Sequence, residues 1–167
     1  NKEESEEEIV RMHEEHPDDK VIACMLTKYY IIAGKLDKAE EVVKKAVDID
    51  RDDCKTLYLA AKVHHLKQES GKALPYLHEA INKSETPVPA LLFMLAKLSP
   101  ESPLWPRIEE VIGREGVEYV VQNKDNEREI GKLEDVFMDG AVTNNFWEQL
   151  NTEPVDKQAA RVSGVDR

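Results

Sequence analysis

Few residues in this chain are suited to covalent or redox chemistry, and the patterns that would organise them are missing. Of 167 residues only two are cysteines, Cys24 and Cys54. Their spacing fits neither a disulfide framework nor a thiolate metal site, so both are expected as free thiols in a reducing, intracellular setting, which we read as cytoplasmic. There is no glycine-rich phosphate loop, no nucleophile elbow and no HExxH sequence. Gly113-Arg114-Glu115-Gly116 reads as a helix end, not a phosphate cradle. Histidines cluster only as His13 with His16 and as His64-His65, and a metal would need three or four convergent ligands. Carboxylates are abundant, but acid/base catalysis needs two of them set across a pocket, and acidic helical surfaces supply pairs by chance. The expectation is a protein that is not an enzyme and carries neither cofactor nor metal.

Long apolar runs are absent as well, so no segment is expected to cross a bilayer, and Asn1-Lys2 leads into acidic residues instead of a signal peptide. Basic charge is in deficit, with 23 lysines and arginines against 34 acidic residues and a net charge of −11. That balance argues against nonspecific nucleic-acid binding, which needs a surplus of cations on one face. The acidity is local: residues 1–19 hold nine acidic and two basic side chains, so most of the surplus lies in these first nineteen residues.

What the chain does have is a repeat. The stretch Leu36 to Asp50 recurs in degraded form downstream, with Ala73, Leu77 and Ala80 standing 34 residues after Ala39, Val43 and Ala46. Glu3 to His16 reads as a helix with Ser5, Ile9 and Met12 on one side, stopped by His16-Pro17-Asp18-Asp19. In register it matches the second half of a repeat, so the array is expected to begin inside a longer one. Lys20 to Ala33 follows, apolar at Ala23, Leu26 and Tyr30 and again at Val21, Met25, Ile31 and Ile32; two stripes predict burial on two sides. Gly34-Lys35 turns the chain into a partner helix, Leu36 to Ile49.

A second hairpin pairs Lys55–Lys67 with Gly71–Asn82, where Pro75 predicts a late start or a kink. Val88 to Leu98 is a third helix of the first type. Beyond it Trp105-Pro106 opens a helix with Ile108, Val111 and Ile112 inward, Val111 keeping the register of Leu77 and the helix ending at Gly113 and Gly116. Residues 117–122 fit either a strand or a helical continuation. Asn126 and Glu129 form a capping box for a helix through Ile130, Leu133, Val136 and Phe137, closed by Gly140. A short last helix would carry Phe146, Trp147 and Leu150 as a cap over the final apolar face, or alternatively as a docking helix, before a polar tail.

These hairpins resemble tetratricopeptide repeats. The family's positions are filled in residues 20–53 by Ala23, Leu26, Thr27, Tyr30, Gly34, Ala39, Val43, Ala46 and Arg51, and in residues 54–87 by Leu57, Ala60, Ala61, His64, Gln68, Ala73, Leu77, Ala80 and Glu85. The terminal proline is missing in both, though Pro17 supplies it for the partial repeat ahead. The resemblance covers residues 3 to about 113 and implies an all-α, right-handed superhelical array of helical hairpins. It divides the chain into an array over 1–113, with a partial repeat at 3–19 and a degenerate one at 88–113, capping helices over 114–151 and a disordered tail over 152–167.

The resemblance also implies a concave groove lined by first-helix residues, here Val21, Cys24, Lys28, Ile31 and Ile32, then Lys55, Tyr58, Lys62, His65 and Leu66, with Leu92 and Ala96 from the third repeat. We single out Lys28, Ile31, Lys55, Tyr58, Lys62 and His65 as the peptide-binding set. Lysines gather there without a carboxylate, which points to a partner segment with acidic side chains or a free carboxylate, extended or helical, anchored against Tyr58 and the isoleucines. Family members that clamp chaperone tails use asparagines along the groove; none stands at these positions, which sets this chain apart from that group. The function read from the sequence is a protein-protein interaction module. Its rival is a structural subunit of an oligomer or larger complex, the groove filled by a neighbouring chain or by the chain's own C-terminal helix.

Overall fold

Helix boundaries follow the stops and caps in the chain. Pro17 ends α1 (Lys2–Glu15), and Asp19 starts α2 (Lys20–Ile32), its Oδ1 accepting from the amides of Val21 at 2.9 Å and Ile22 at 3.3 Å. α3 (Leu36–Ile49), α4 (Cys54–Leu66) and α5 (Ser70–Lys83) follow after short turns. α6 (Pro89–Leu98), α7 (Trp105–Asn123) and α8 (Glu127–Met138) complete the chain as far as the computed structural model describes it, over residues 2–138. Among the described residues there is no strand. The chain divides into two compact units, residues 1–83 and 84–167.

In the first unit α2 packs on α3 and α4 on α5, while α3 also meets α4 and α1 meets α2. The repeat positions explain the packing. Ala23, Ala39, Ala46, Ala60, Ala61, Ala73 and Ala80 are all at or below 1% exposure, so facing helices meet with almost nothing but backbone and methyl groups between them. Leu26, Val43, Leu57 and Leu77 fill the space beside these contacts. Thr27, fully buried, donates its hydroxyl hydrogen to Ala23 O at 2.8 Å, which removes the cost of burying it.

The two hairpin turns are closed by the same pair of hydrogen bonds. After α2, Lys35 N donates to Tyr30 O and Gly34 N to Ile31 O; after α4, Glu69 N donates to His64 O and Gln68 N to His65 O. The residue at the turn is left-handed in both, with φ of 75° at Gly34 and 62° at Gln68. Ion pairs lie across these turns. Glu6 takes Lys35 at 2.7 Å, and Glu40, 34 residues on, takes Lys67 at 2.9 Å. The late start anticipated from Pro75 is not seen: α5 begins at Ser70 and carries the proline inside it.

The second unit departs from the repeat. Almost every side chain of α6 is buried, and Phe93 meets the ring of Tyr119 on α7. Lys97 reaches Glu127 at the start of α8 at 2.6 Å, and Trp105 ties α7 back to Ser99 O through its indole N–H at 3.2 Å. α7 breaks at Gly113, where φ is 79° and ψ 165°, and resumes. Gly116 therefore does not end the helix; it lies against Ile112, whose Cγ1 would be only 3.0 Å from any added Cβ. Residues 117–122 continue as helix, settling the choice left open above. Val111 is 45% exposed while Ile108 and Ile112 are buried, so the 34-residue register with Leu77 does not carry inward direction into α7. In α1, likewise, Ser5 is exposed, and Ile9 and Met12 are half-buried. The N-cap expected at Asn126 is present, its Oδ1 accepting from Glu129 N at 3.2 Å. The segment carrying Phe146, Trp147 and Leu150, the tail over 152–167 and Gly140 lie outside the described residues.

Gln68 holds a left-handed backbone that costs a residue with a Cβ about 1 kcal/mol or more. Gln68→Gly is expected to raise the unfolding free energy by about 1 kcal/mol in a urea titration, and Gln68→Ala, which keeps the Cβ, to give no such gain.

Candidate protein interaction site

α2 is apolar on two opposite sides, and only one of them is covered. Ile22, Ala23, Leu26, Thr27 and Tyr30 face the other helices of the unit. Val21, Met25 and Ile32 point away at 62%, 46% and 77% exposure. At 100° per residue these three and Lys28 fall within an arc of about 60° on the far side of the helix. Burial on two sides, expected from the sequence, is thus corrected. α1, α3 and α4 pack against α2, and the side carrying Val21, Met25 and Ile32 remains exposed.

The remaining residues of the set occupy graded depths. Lys28, Ile31, Lys55, Lys62 and His65 are half-buried. Tyr58 is at 1% exposure and so lies beneath the surface, where it can support a bound segment but not receive one. Leu59, the counterpart of Met25 in the next repeat, is also at 1%. Leu66, the counterpart of Ile32, is 42% exposed and carries the apolar surface onto the end of α4. Met25 lies outside the groove positions of the family; its signal in the sequence is the four-residue step from Val21, a spacing that a buried face would show equally.

Charge is sorted by helix. α2 and α4 contain no aspartate or glutamate, only lysines and histidines among their titratable acids and bases besides tyrosine and cysteine, while α1, α3 and α5 carry the carboxylates. Lys20 at the start of α2 is held by Asp50 at 2.7 Å, which keeps its ammonium protonated beyond the usual range. Cys24 packs its Sγ 3.4 Å from Thr56 Oγ1, and burial pushes its thiol up, so it is protonated and unreactive at neutral pH.

One group of possible metal ligands converges among the described residues. His64, read as too isolated for this, stacks on Tyr76 and brings Nδ1 to 3.2 Å from Glu69 Oε1 and 3.8 Å from Glu40 Oε1, so the three ligand atoms lie within 4.8 Å of one another. Sequence spacing missed it because Glu40 comes from the neighbouring hairpin. Lys67 binds Glu40 at 2.9 Å and Asp37 at 3.0 Å, Lys72 binds Glu69 at 3.1 Å and Lys44 stands 3.6 Å from Glu40. Three ammonium groups offset the three carboxylates, leaving no negative field to hold a divalent cation. The group is an electrostatic clasp between α3, α4 and the turn into α5.

No family model and no curated protein matches the chain. Among solved structures it is similar to YrrB, described as a TPR protein with an unusual peptide-binding site, at a TM-score of 0.53 and 14% identity over 93% of this chain and 92% of that one. The chain has the fold of a tetratricopeptide-repeat protein. At that identity the similarity speaks for the fold, and within this repeat fold the helical positions that carry the family pattern from Ala23 to Ala80 are buried, while Gly34, Arg51 and Gln68 in the turns are exposed.

The Lys67 ammonium holds the Glu40 carboxyl below the usual carboxylate range, and the His64 ring followed by Lys72 does so for Glu69. A depressed carboxyl contributes stability that is complete above its unfolded value, near 4.5, and is lost as pH falls through the folded one. The urea midpoint of the protein is therefore expected to drop as pH is taken below about 4.5. Lys67→Met should be less stable at neutral pH and lose less on acidification; equal losses would show that the clasp contributes nothing.

Proposed function

We propose that this protein is a non-enzymatic interaction module that holds a polypeptide segment of a partner against the outward faces of α2 and α4, without a cofactor. The observation that carries this reading is the open apolar stripe of α2, Val21, Met25 and Ile32, bordered by lysines on two helices without a carboxylate. An exposed apolar stripe rimmed by charge is a recognition surface more often than an accident of folding. The peptide-binding site described for YrrB, a protein of the same fold, supports the assignment. Lys28, Lys55, Lys62 and His65 supply the electrostatic part, Ile31 and the stripe the apolar part, and Tyr58 the floor. Cations gathered in a chain of net charge −11 favour a partner segment carrying acidic side chains. An intracellular, cytoplasmic setting suits two half-buried thiols that are not joined in a disulfide.

The competing arrangement is a structural subunit whose face is occupied permanently, and sedimentation at several concentrations separates the two. Once a partner is isolated with the intact protein, Lys28→Glu combined with Lys62→Glu is expected to weaken it by about tenfold or more, with the loss shrinking at high salt. Unchanged affinity would remove the acidic-partner reading.

A further inference from the structure

The face of α2 and α4 discriminates between shapes of partner. An extended segment brings an unpaired backbone N–H and C=O at each residue and needs both acceptors and donors from the surface it lies on. Lysine can only donate. Val21, Met25, Ile32 and Leu66 offer nothing, and α2 and α4 contain no asparagine, glutamine or carboxylate that could accept. Thr27 and Thr56 are fully buried, so along α2 and α4 the acceptors nearer the surface are the Tyr29 hydroxyl and the His65 ring, and the carboxylates of Asp19 and Asp53 stand only at the two helix starts. Most amides of a bound strand would therefore lose water without gaining a partner, at a cost that apolar contact along one narrow stripe cannot offset.

A helix arrives with its backbone hydrogen bonds already made. The stripe suits one: Val21, Met25 and Ile32 follow a single line over about 16 Å, the length of three turns, and present ridges between which side chains of a second helix can seat. Lys28 interrupts that line between Met25 and Ile32, so a carboxylate at the corresponding turn of the incoming helix would meet it in partly desolvated surroundings. A second copy of this chain fits poorly. Two α2 stripes laid antiparallel bring both Lys28 side chains together near the dyad, and each copy carries a net charge of −11.

Resting on the interaction reading above, we infer that the occupant of this face is an amphipathic α-helix of another protein, aliphatic along one side and with a carboxylate at its middle turn. The helix is read side-on, and neither an extended peptide nor a free carboxyl terminus is the ligand.

The test uses the full chain and a fluorescein-labelled, stapled model helix about eighteen residues long, with leucines at i, i+4 and i+11 and glutamate at i+7 on one face. Binding is followed by anisotropy and by amide chemical shifts. Saturable binding that shifts the α2 resonances is expected, weakened about tenfold or more by glutamate to lysine in the probe, and likewise by Met25→Glu or Ile32→Glu in the protein. Both substitutions fall on exposed side chains, and retained helicity by circular dichroism would show that the fold is kept. If the same probe broken by two prolines binds α2 as tightly, the helix inference is overturned while the interaction face stands. If neither probe perturbs α2, both fall. A concentration-dependent dimer abolished by Met25→Glu would assign the face to a second copy and overturn the inference.

Discussion

Two helices can share a long contact only where neither carries bulk at the crossing, and in this protein alanine meets that condition at every repeat. Ala23 and Ala39 with Ala46, then Ala60 and Ala61 with Ala73 and Ala80, are sealed from solvent, so each hairpin closes over side chains no larger than a methyl group at these positions. Larger residues at Leu26, Val43, Leu57 and Leu77 then interlock beside the alanines and set how one hairpin leans on the next. Because every alanine is already in contact, added volume at any of them would push two helices apart and be felt along the unit.

That close approach has a consequence for α2. A helix held by α1, α3 and α4 presents its remaining side outward in a fixed direction, and here that side is apolar. Elsewhere in the first unit the carboxylates, on α1, α3 and α5, keep the surface hydrated and take part in the ion pairs across the turns. Sorting acids onto some helices and lysines onto others makes one face chemically different from its surroundings without any departure from regular helical geometry. The clasp of Glu40, His64, Glu69 and Lys67 belongs to the same economy: it satisfies a buried imidazole and fastens two hairpins where the repeat pattern has a tyrosine.

The second unit shows what happens when the repeat stops. α6 retains apolar residues nearly all round and is buried accordingly, but α7 is divided by the left-handed Gly113, and the inward residues after it are set by the new direction of the chain. Gly116 lies against the side chain of Ile112 and leaves no room for a Cβ. Val111 shows the limit of extrapolating a register: it kept the spacing of Leu77, yet the helix that carries it faces differently.

Much of the first unit was legible because its information is local or periodic. Asp19, Gly34 and Pro17 mark helix ends through bonds within a few residues, and a 34-residue recurrence of alanine and leucine states which sides of which helices must meet. The fold class and the buried set followed from these. Direction and depth did not. Nothing local tells that Met25 is left open while Leu59, one repeat on, is covered, since both are apolar residues at equivalent places on similar helices. Nor could spacing bring Glu40 to His64, because that meeting is between hairpins. The sequence by itself determined helices, turns and the faces that pack, through capping, propensity and periodicity. Only the tertiary structure decided which apolar face remains exposed, because exposure depends on what neighbouring helices cover, and that is a property of the assembled chain.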